Sequence, residues 1–130
     1  MAKHLIFVYG SLRSGGAGAM STRFPDSKFV ADASVSGTLY DLGPYPGLLV
    51  NDSESPVFGE VYEVDDELLK ELDAFEATSN YLRKQVEVAF GDESKMCWTY
   101  EPNPDTCHFG PVVTSGDWIE YSRTRVAESK

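Results

Sequence analysis

Short apolar runs separated by glycine- and proline-rich turns dominate the hydrophobic pattern of this chain. The run at 5–9 is apolar throughout, which is typical of a strand buried on both faces. At 82–90 apolar and polar residues alternate, with Tyr81 on the polar face. The pattern predicts further strands at 28–32, 35–42, 48–51, 57–64 and around 96–100. The densest turn signal is at 43–47, where two prolines fix φ and two glycines permit positive φ.

One amphipathic helix interrupts these strands at 65–76. Its apolar stripe consists of Leu68, Leu69, Leu72 and Phe75. Asp65 or Asp66 is the expected N-cap, and a helical turn is predicted at 19–23. The segment from Asp117, itself a candidate N-cap, predicts a short helix or an irregular stretch. Several strands, many turns and one clear helix indicate a small β-barrel or a strongly curled sheet with helical decoration.

Composition and charge limit the classes of protein to which the chain can belong. The 130 residues predict a single domain, 1–130, with 42% hydrophobic residues, the usual content of a folded globular protein. A net charge of −10 disfavours nucleic-acid and anionic membrane partners, and weakly favours substrates with a cationic tail. No run reaches the ~20 apolar residues of a membrane span, and the first apolar run is too short for a signal peptide. We therefore expect a cytoplasmic protein.

The cysteines and histidines do not form a recognisable reactive group. Cys97 lies in a hydrophobic run, which predicts a buried inert thiol. Cys107 next to His108 suggests a metal site, but the spacing matches no zinc pattern, so neither a metal nor a cofactor is expected. Neither His108 nor His4 lies in a triad context, and no G-x-S-x-G elbow is present. Any reaction is therefore expected to proceed without a protein nucleophile.

Glu76 is the carboxylate of the predicted helix that best faces the core. At helical spacing it lies roughly 50° from the centre of the apolar stripe. Its position at the C-terminal end of the helix, together with burial, would raise its pKa toward the range of a general base. The alternative is that the helix frays at this point and Glu76 points into water.

Tyr9-Gly10-Ser11-Leu12 follows the first strand directly. A glycine at a strand end lets the backbone approach a ligand, and consecutive N–H groups can form an anion-binding nest. Tyr9 and Ser11 could add hydroxyl donors. The alternative is an ordinary strand-ending turn.

Taken together, these residues resemble the gamma-glutamylcyclotransferase-like family, which includes avirulence-induced-gene-like proteins and gamma-glutamylamine cyclotransferases. The matching segments are FVYGSL at 7–12, GTLYDLGPYPGLLV at 37–50 and VFGEVYEVDDELLKELDAFE at 57–76. The resemblance continues through residues 81–83, 98–100 and 115–118, so it covers nearly the whole chain in order.

The resemblance implies an α+β fold with a mixed barrel of about five to seven strands and flanking helices. It also implies a cofactor-free reaction, in which the α-amine of a gamma-glutamyl group attacks its own γ-carbonyl. Ring closure gives 5-oxoproline and expels an amine or amino acid.

The resemblance also assigns roles to residues of this sequence. Glu76 corresponds to the acid/base, residues 9–12 to the loop that binds the glutamyl group, and Tyr81 and Tyr100 to pocket tyrosines. The N–H groups at 10–12 would receive either the substrate carboxylate or the developing oxyanion. The alternative function is a non-catalytic protein that binds a small anion or gamma-glutamyl ligand on the same fold.

Overall fold

The computed structural model describes residues 3–10, 12–13, 19–43, 45–51, 55–78, 80–107 and 109–128. Its helices and strands, in chain order, are β1 (Lys3–Val8), α1 (Met20–Arg23), β2 (Lys28–Asp41), β3 (Pro46–Val50), β4 (Pro56–Asp65), α2 (Asp66–Ala77), β5 (Tyr81–Phe90), β6 (Glu93–Pro102) and α3 (Trp118–Glu128). None of the helices in these ranges is long and apolar enough to cross a bilayer.

The strands form the closed barrel that the sequence predicted. Their order is β3-β2-β4-β1-β6-β5, and β2 also meets β5 through the pair Ser34 and Ala89. Five strands therefore close the ring, and β3 extends it as an extra strand on β2. β1 runs parallel to β6 while the other pairings are antiparallel, so the barrel is mixed.

Two separate apolar clusters hold the molecule together because β1 is buried on both faces. One cluster contains Phe7, Tyr9, Val35, Leu39, Leu48, Val57, Val61, Val86, Val88, Cys97, Val113 and Trp118. The other contains the leucines of α2 together with Ile6, Val8, Leu12, Met20, Phe24, Tyr62, Val64, Tyr81 and Tyr100. Ile6 and Val8 alternate with Phe7 and Tyr9 along the chain, so successive side chains enter different clusters.

Helix α2 forms for local reasons and docks through its stripe. Asp65 caps it by accepting a hydrogen bond from Leu68 N at 2.9 Å. Leu68, Leu69 and Leu72 are all buried, and each contributes roughly 1.5–3 kcal/mol when removed from water. This docking fixes the last turn of α2 against the end of the barrel.

The prediction of two strands at 28–32 and 35–42 was wrong. The structure has one strand, β2, whose register shifts between Phe29 and Ala31. The polar and small residues at 32–34, which suggested a break, pair with β4 from Asp32 to Ser34. A bulge of this kind bends a strand without ending it.

Tyr81 was also predicted on the wrong surface. It is 7% exposed, whereas Leu82, on the predicted apolar face, is 52% exposed. The reason is that α2 packs over the start of β5 and covers the face that alternation marks as polar.

Candidate active site

A cavity of about 170 Å³ opens where β1 ends and α2 ends. It is lined by Phe7, Val8, Tyr9, Gly10, Leu12, Tyr45, Pro46, Phe75, Glu76, Thr78, Tyr81 and Tyr100. The volume is well below the roughly 300–1,000 Å³ of pockets that hold drug-sized ligands. The cavity therefore suits a ligand, or a part of a ligand, that has the size of an amino acid.

Glu76 lies on the cavity wall, in the last turn of α2, and not at a frayed end. Burial raises the pKa of its carboxyl to about 7. No hydrogen bond or ion pair joins this carboxyl to any residue in the described part of the chain. A carboxyl with this pKa exchanges its proton readily near neutral pH, as a general acid or base must.

The turn after β1 lines the same cavity as Glu76. We call residues 9–13 the exit turn; Tyr9, Gly10 and Leu12 line the cavity, and Ser11 lies outside the described residues. The carbonyl oxygen of Gly10 accepts from Arg13 N at 3.0 Å. By contrast, the N–H groups of Gly10 and Leu12 have no partner among the described residues. Successive N–H groups of this kind can form an anion-binding nest.

The exit turn touches a second turn, the proline turn (residues 42–46, with Pro44 outside the described residues). A Cβ added at Gly10 would lie 2.7 Å from Pro46 Cγ, so only glycine allows this approach. Tyr45 packs edge-on against Tyr81, with ring centroids 5.8 Å apart. Sequence reasoning treated this segment as a turn between strands and missed its place on the cavity wall.

Three pocket tyrosines donate their hydroxyl protons to the protein. Tyr9 donates to the carbonyl oxygen of Tyr100 at 2.6 Å, and Tyr81 donates to that of Pro46. Tyr100 donates to Asp73 Oδ1 at 2.8 Å. The Tyr9 oxygen also accepts from Leu48 N at 3.2 Å, so this hydroxyl is engaged on both sides. The hydroxyls of Tyr81 and Tyr100 can bond a ligand only as acceptors. Burial raises the pKa of all three phenols, and the nearby Glu76 carboxylate adds to the rise.

Asp73 and Arg83 support Tyr100 from outside the cavity and were not predicted as site residues. Arg83 Nε lies 3.5 Å from Asp73 Oδ1, and its guanidinium stacks 4.3 Å from the centroid of the Trp98 ring. Asp73 lies three residues before Glu76 on α2, so one helix carries both carboxylates. Nothing in the local sequence pattern indicates the pairing of Asp73 with Tyr100.

The two walls differ chemically. Glu76 and the tyrosine oxygens accept hydrogen bonds, which suits an ammonium group. The N–H groups of Gly10 and Leu12 donate them, which suits a carboxylate or an oxyanion. The cavity can thus hold a small molecule that carries both kinds of group.

Cys97 is buried, and burial raises the pKa of its thiol to about 11. Cys107 is partly buried, and His108 lies outside the described residues. The described residues contain no group of three or more His, Cys, Asp or Glu side chains arranged to hold a metal ion.

The sequence matches the family profile described as "Gamma-glutamyl cyclotransferase, AIG2-like" over residues 6–120. The chain belongs to this family. Its AIG2-like relatives include the gamma-glutamylcyclotransferase family protein YtfP of Escherichia coli, which is 34% identical over 119 residues. The alignment covers 88% of this chain and 96% of YtfP.

Solved structures show the same AIG2-like fold. YkqA from Bacillus subtilis superposes with a TM-score of 0.76 at 28% identity, over 99% of this chain and 44% of YkqA. This chain thus spans less than half of YkqA. An AIG2-like protein from mouse superposes with a TM-score of 0.69 at 27% identity, over 84% of this chain and 86% of the mouse protein.

Proposed function

We propose that this protein is a gamma-glutamyl cyclotransferase that converts a small gamma-glutamyl compound into 5-oxoproline and a free amine or amino acid. The α-nitrogen of the substrate attacks the γ-carbonyl carbon, and the bond from that carbon to the leaving nitrogen breaks. The α-ammonium nitrogen loses two protons in becoming the lactam N–H, and the leaving nitrogen gains two in becoming a free ammonium. No cofactor or second substrate is consumed.

The single observation that carries this proposal is Glu76, a partly buried carboxyl on the wall of a small cavity, whose pKa burial raises to about 7. In its ionised form Glu76 takes a proton from the α-nitrogen, once from the ammonium before the attack and once after the new C–N bond has formed. In its protonated form it returns each proton to the leaving nitrogen. Tyr81 and Tyr100 line the same cavity with acceptor oxygens, which favours an ammonium there before the proton moves.

The opposite wall supports the remaining requirement, which is to hold an anionic group. The N–H groups of Gly10 and Leu12, which have no partner in the part of the chain that the structure describes, suit the α-carboxylate or the oxyanion that forms on the γ-carbonyl. A cavity of about 170 Å³ favours a folded gamma-glutamyl group, with the leaving amine toward the mouth. Holding the gamma-glutamyl group of the substrate in a folded conformation brings its amine close to its carbonyl. For such intramolecular reactions, effective molarities can reach ~10⁵ M.

The lining also fits a reaction in which the substrate supplies the nucleophile. Among the described lining residues there is no serine, cysteine, histidine or lysine. The hydroxyl of Thr78 donates its proton to the carbonyl oxygen of Phe75 at 2.7 Å and not to Glu76. An intramolecular attack needs only the general acid/base, a site that binds the anionic group and a cavity that encloses the substrate.

The test is a screen of the purified protein against gamma-glutamyl amines, gamma-glutamyl dipeptides and glutathione, with 5-oxoproline measured by mass spectrometry. We expect release from at least one of these compounds and a loss of at least ~10²-fold in Glu76→Gln. Glu71→Gln is the matched control, because Glu71 is an exposed carboxylate on the same helix. Its turnover should equal that of the wild type.

Turnover by Glu76→Gln close to the wild-type rate would remove Glu76 from the mechanism. Binding of these compounds with no product from any of them would instead favour the non-catalytic binding protein on the same fold.

A further inference from the structure

The start of α3 bonds to both turns that line the cavity, although no α3 residue is among the described lining residues. Asp117 and Tyr121 lie four residues apart, so they share one face of the helix. Asp117 reaches the exit turn, and Tyr121 reaches the proline turn through Asp41. One short segment thus contacts two turns that are distant from it in sequence.

The first contact is an ion pair to the exit turn. Arg13 Nη1 donates to Asp117 Oδ1 at 3.0 Å, and the side chain of Arg13 is 14% exposed. Asp117 Oδ1 also accepts from Glu120 N at 3.1 Å, which caps α3. On its other side Arg13 Nε lies 3.7 Å from the buried carboxylate of Glu60 on β4. The exit turn is therefore fixed between the barrel and α3.

The second contact runs through a buried carboxylate. Tyr121 donates its hydroxyl proton to Asp41 Oδ2 at 2.6 Å, and Asp41 is 8% exposed. The other oxygen of the same group, Asp41 Oδ1, accepts from Gly43 N at 2.7 Å. Tyr121 thus holds the carboxylate that orients the start of the proline turn, and Tyr45 and Pro46 follow at once.

We propose that Arg13, Asp41, Asp117 and Tyr121, which we call the α3 brace, are positioning residues that set the distance between the two turns and hence the shape of the cavity. Because the turns touch at Gly10 and Pro46, a shift of one is passed to the other. The brace acts on the site of the proposed function and rests on that function for its kinetic effects. Its structural effects do not depend on turnover.

The variants are Asp117→Ser and Tyr121→Phe, alone and combined. Serine also caps helices but is too short to hold Arg13, and phenylalanine removes only the hydroxyl. Ser122→Ala is the control, because the Ser122 hydroxyl donates to the carbonyl oxygen of Ile119 in its own helix and contacts neither turn among the described residues. Thermal unfolding first establishes that each variant is folded.

Amide hydrogen exchange is the first measurement. We expect faster exchange at the Arg13 amide, which bonds to Gly10 O, in Asp117→Ser, and at the Gly43 amide, which bonds to Asp41 Oδ1, in Tyr121→Phe. Exchange in the β5–β6 hairpin should be unchanged. A carboxyl NMR titration of Glu76 is the second measurement. Water that enters a loosened cavity should move the pKa of Glu76 from about 7 toward its ordinary value. None of the variants substitutes Tyr9, Tyr81 or Tyr100, the titratable groups that interact with Glu76.

Kinetics is the third measurement, with whichever gamma-glutamyl compound the screen identifies. Loosened turns weaken the binding of substrate and transition state alike, so KM should rise roughly tenfold in each single variant with little change in kcat. Loss of folded protein alone would lower the apparent kcat and leave KM unchanged.

The brace proposal would be overturned if Asp117→Ser and Tyr121→Phe showed the same amide exchange and the same pKa of Glu76 as Ser122→Ala. Faster exchange spread evenly over the barrel would also overturn it. If the wild type converts no gamma-glutamyl compound, the proposed function fails. Exchange and titration still decide the brace in that case.

Discussion

The two walls of the cavity are built in different ways. The wall that carries Glu76 is a capped amphipathic helix that docks through three buried leucines. Its position therefore depends on the packing of apolar side chains that lie near Glu76 in the sequence. The opposite wall consists of two turns, held by polar side chains that come from remote parts of the chain. The comparison indicates that the first wall is coupled to the stability of the fold, whereas the second can change shape while the fold persists.

The largest expected effect is on the helix wall. Leu72 is 0% exposed, so Leu72→Ala should lower the free energy of unfolding by about 3–4 kcal/mol, with KM of the remaining folded protein unchanged. Leu82→Ala is the matched control, because Leu82 is 52% exposed and its loss should cost less than about 0.5 kcal/mol. Urea denaturation measures both. Equal losses in the two variants would contradict the role of packing.

The second effect is the pH dependence that Glu76 gives to stability. Folding raises its pKa from 4.5 to about 7, so the folded state binds more protons between these values. The resulting stabilisation is fully present below pH 4.5 and is lost as the pH rises through 7. The total change is roughly 3 kcal/mol.

Glu76→Gln removes this dependence, because its amide stays neutral. Relative to the wild type, the variant should gain stability as the pH rises, by up to roughly 3 kcal/mol at about pH 8.5. Denaturation at several pH values measures the difference. A constant difference between wild type and variant from acid to alkaline pH would mean that Glu76 is not buried in solution.

The third effect is on the wall of turns. A Cβ at position 10 would lie 2.7 Å from Pro46 Cγ, so Gly10→Ala should push the two turns apart. We expect a roughly tenfold rise in KM, or in the Kd of a bound product, with about 1 kcal/mol of lost stability. Gly91→Ala is the contrast: φ of 63° strains the new side chain, which touches nothing within 4 Å. It should cost similar stability and leave KM unchanged.

The smallest effect is at the start of the helix wall. Asp65→Ala removes the cap to Leu68 N and should cost about 1 kcal/mol, while Asp65→Ser should recover most of it. The pKa of Glu76 should be the same in both variants, since eleven residues separate the cap from Glu76 and packing fixes the end of the helix. A lowered pKa of Glu76 in Asp65→Ala would show that the cap, and not the leucines, holds this wall.

The features that could be predicted from the sequence are those encoded by neighbouring residues. Strand alternation predicted the barrel, and helical spacing with an aspartate cap predicted α2 and the inward side of Glu76. These inferences held because each depends on a period or a spacing of only a few residues. The approach of the backbone to a ligand at residues 9–12 stays a prediction, although Tyr9, Gly10 and Leu12 line the cavity.

The contacts that complete the site depend on pairs far apart in sequence. Arg13 and Asp117 are separated by 104 residues, and Asp41 and Tyr121 by 80. Tyr100 and Asp73 are separated by 27. A single sequence carries no periodic signal for such pairs, because the closure of the barrel brings them together. Tyr81 was misplaced for the same reason: alternation describes one sheet and not the helix that covers it.

The closure of the barrel has a consequence for how the molecule opens. Within β2 and β5, which are both fully described, Ser34 and Ala89 form the single residue pair that joins the two strands, whereas β5 pairs with β6 along its whole length. Ala89 lies eight residues beyond Tyr81, which is about 26 Å along a strand. We therefore expect spontaneous opening of the barrel to begin at the pair of Ser34 and Ala89, far from Tyr81. The cavity should keep its shape while these two strands separate.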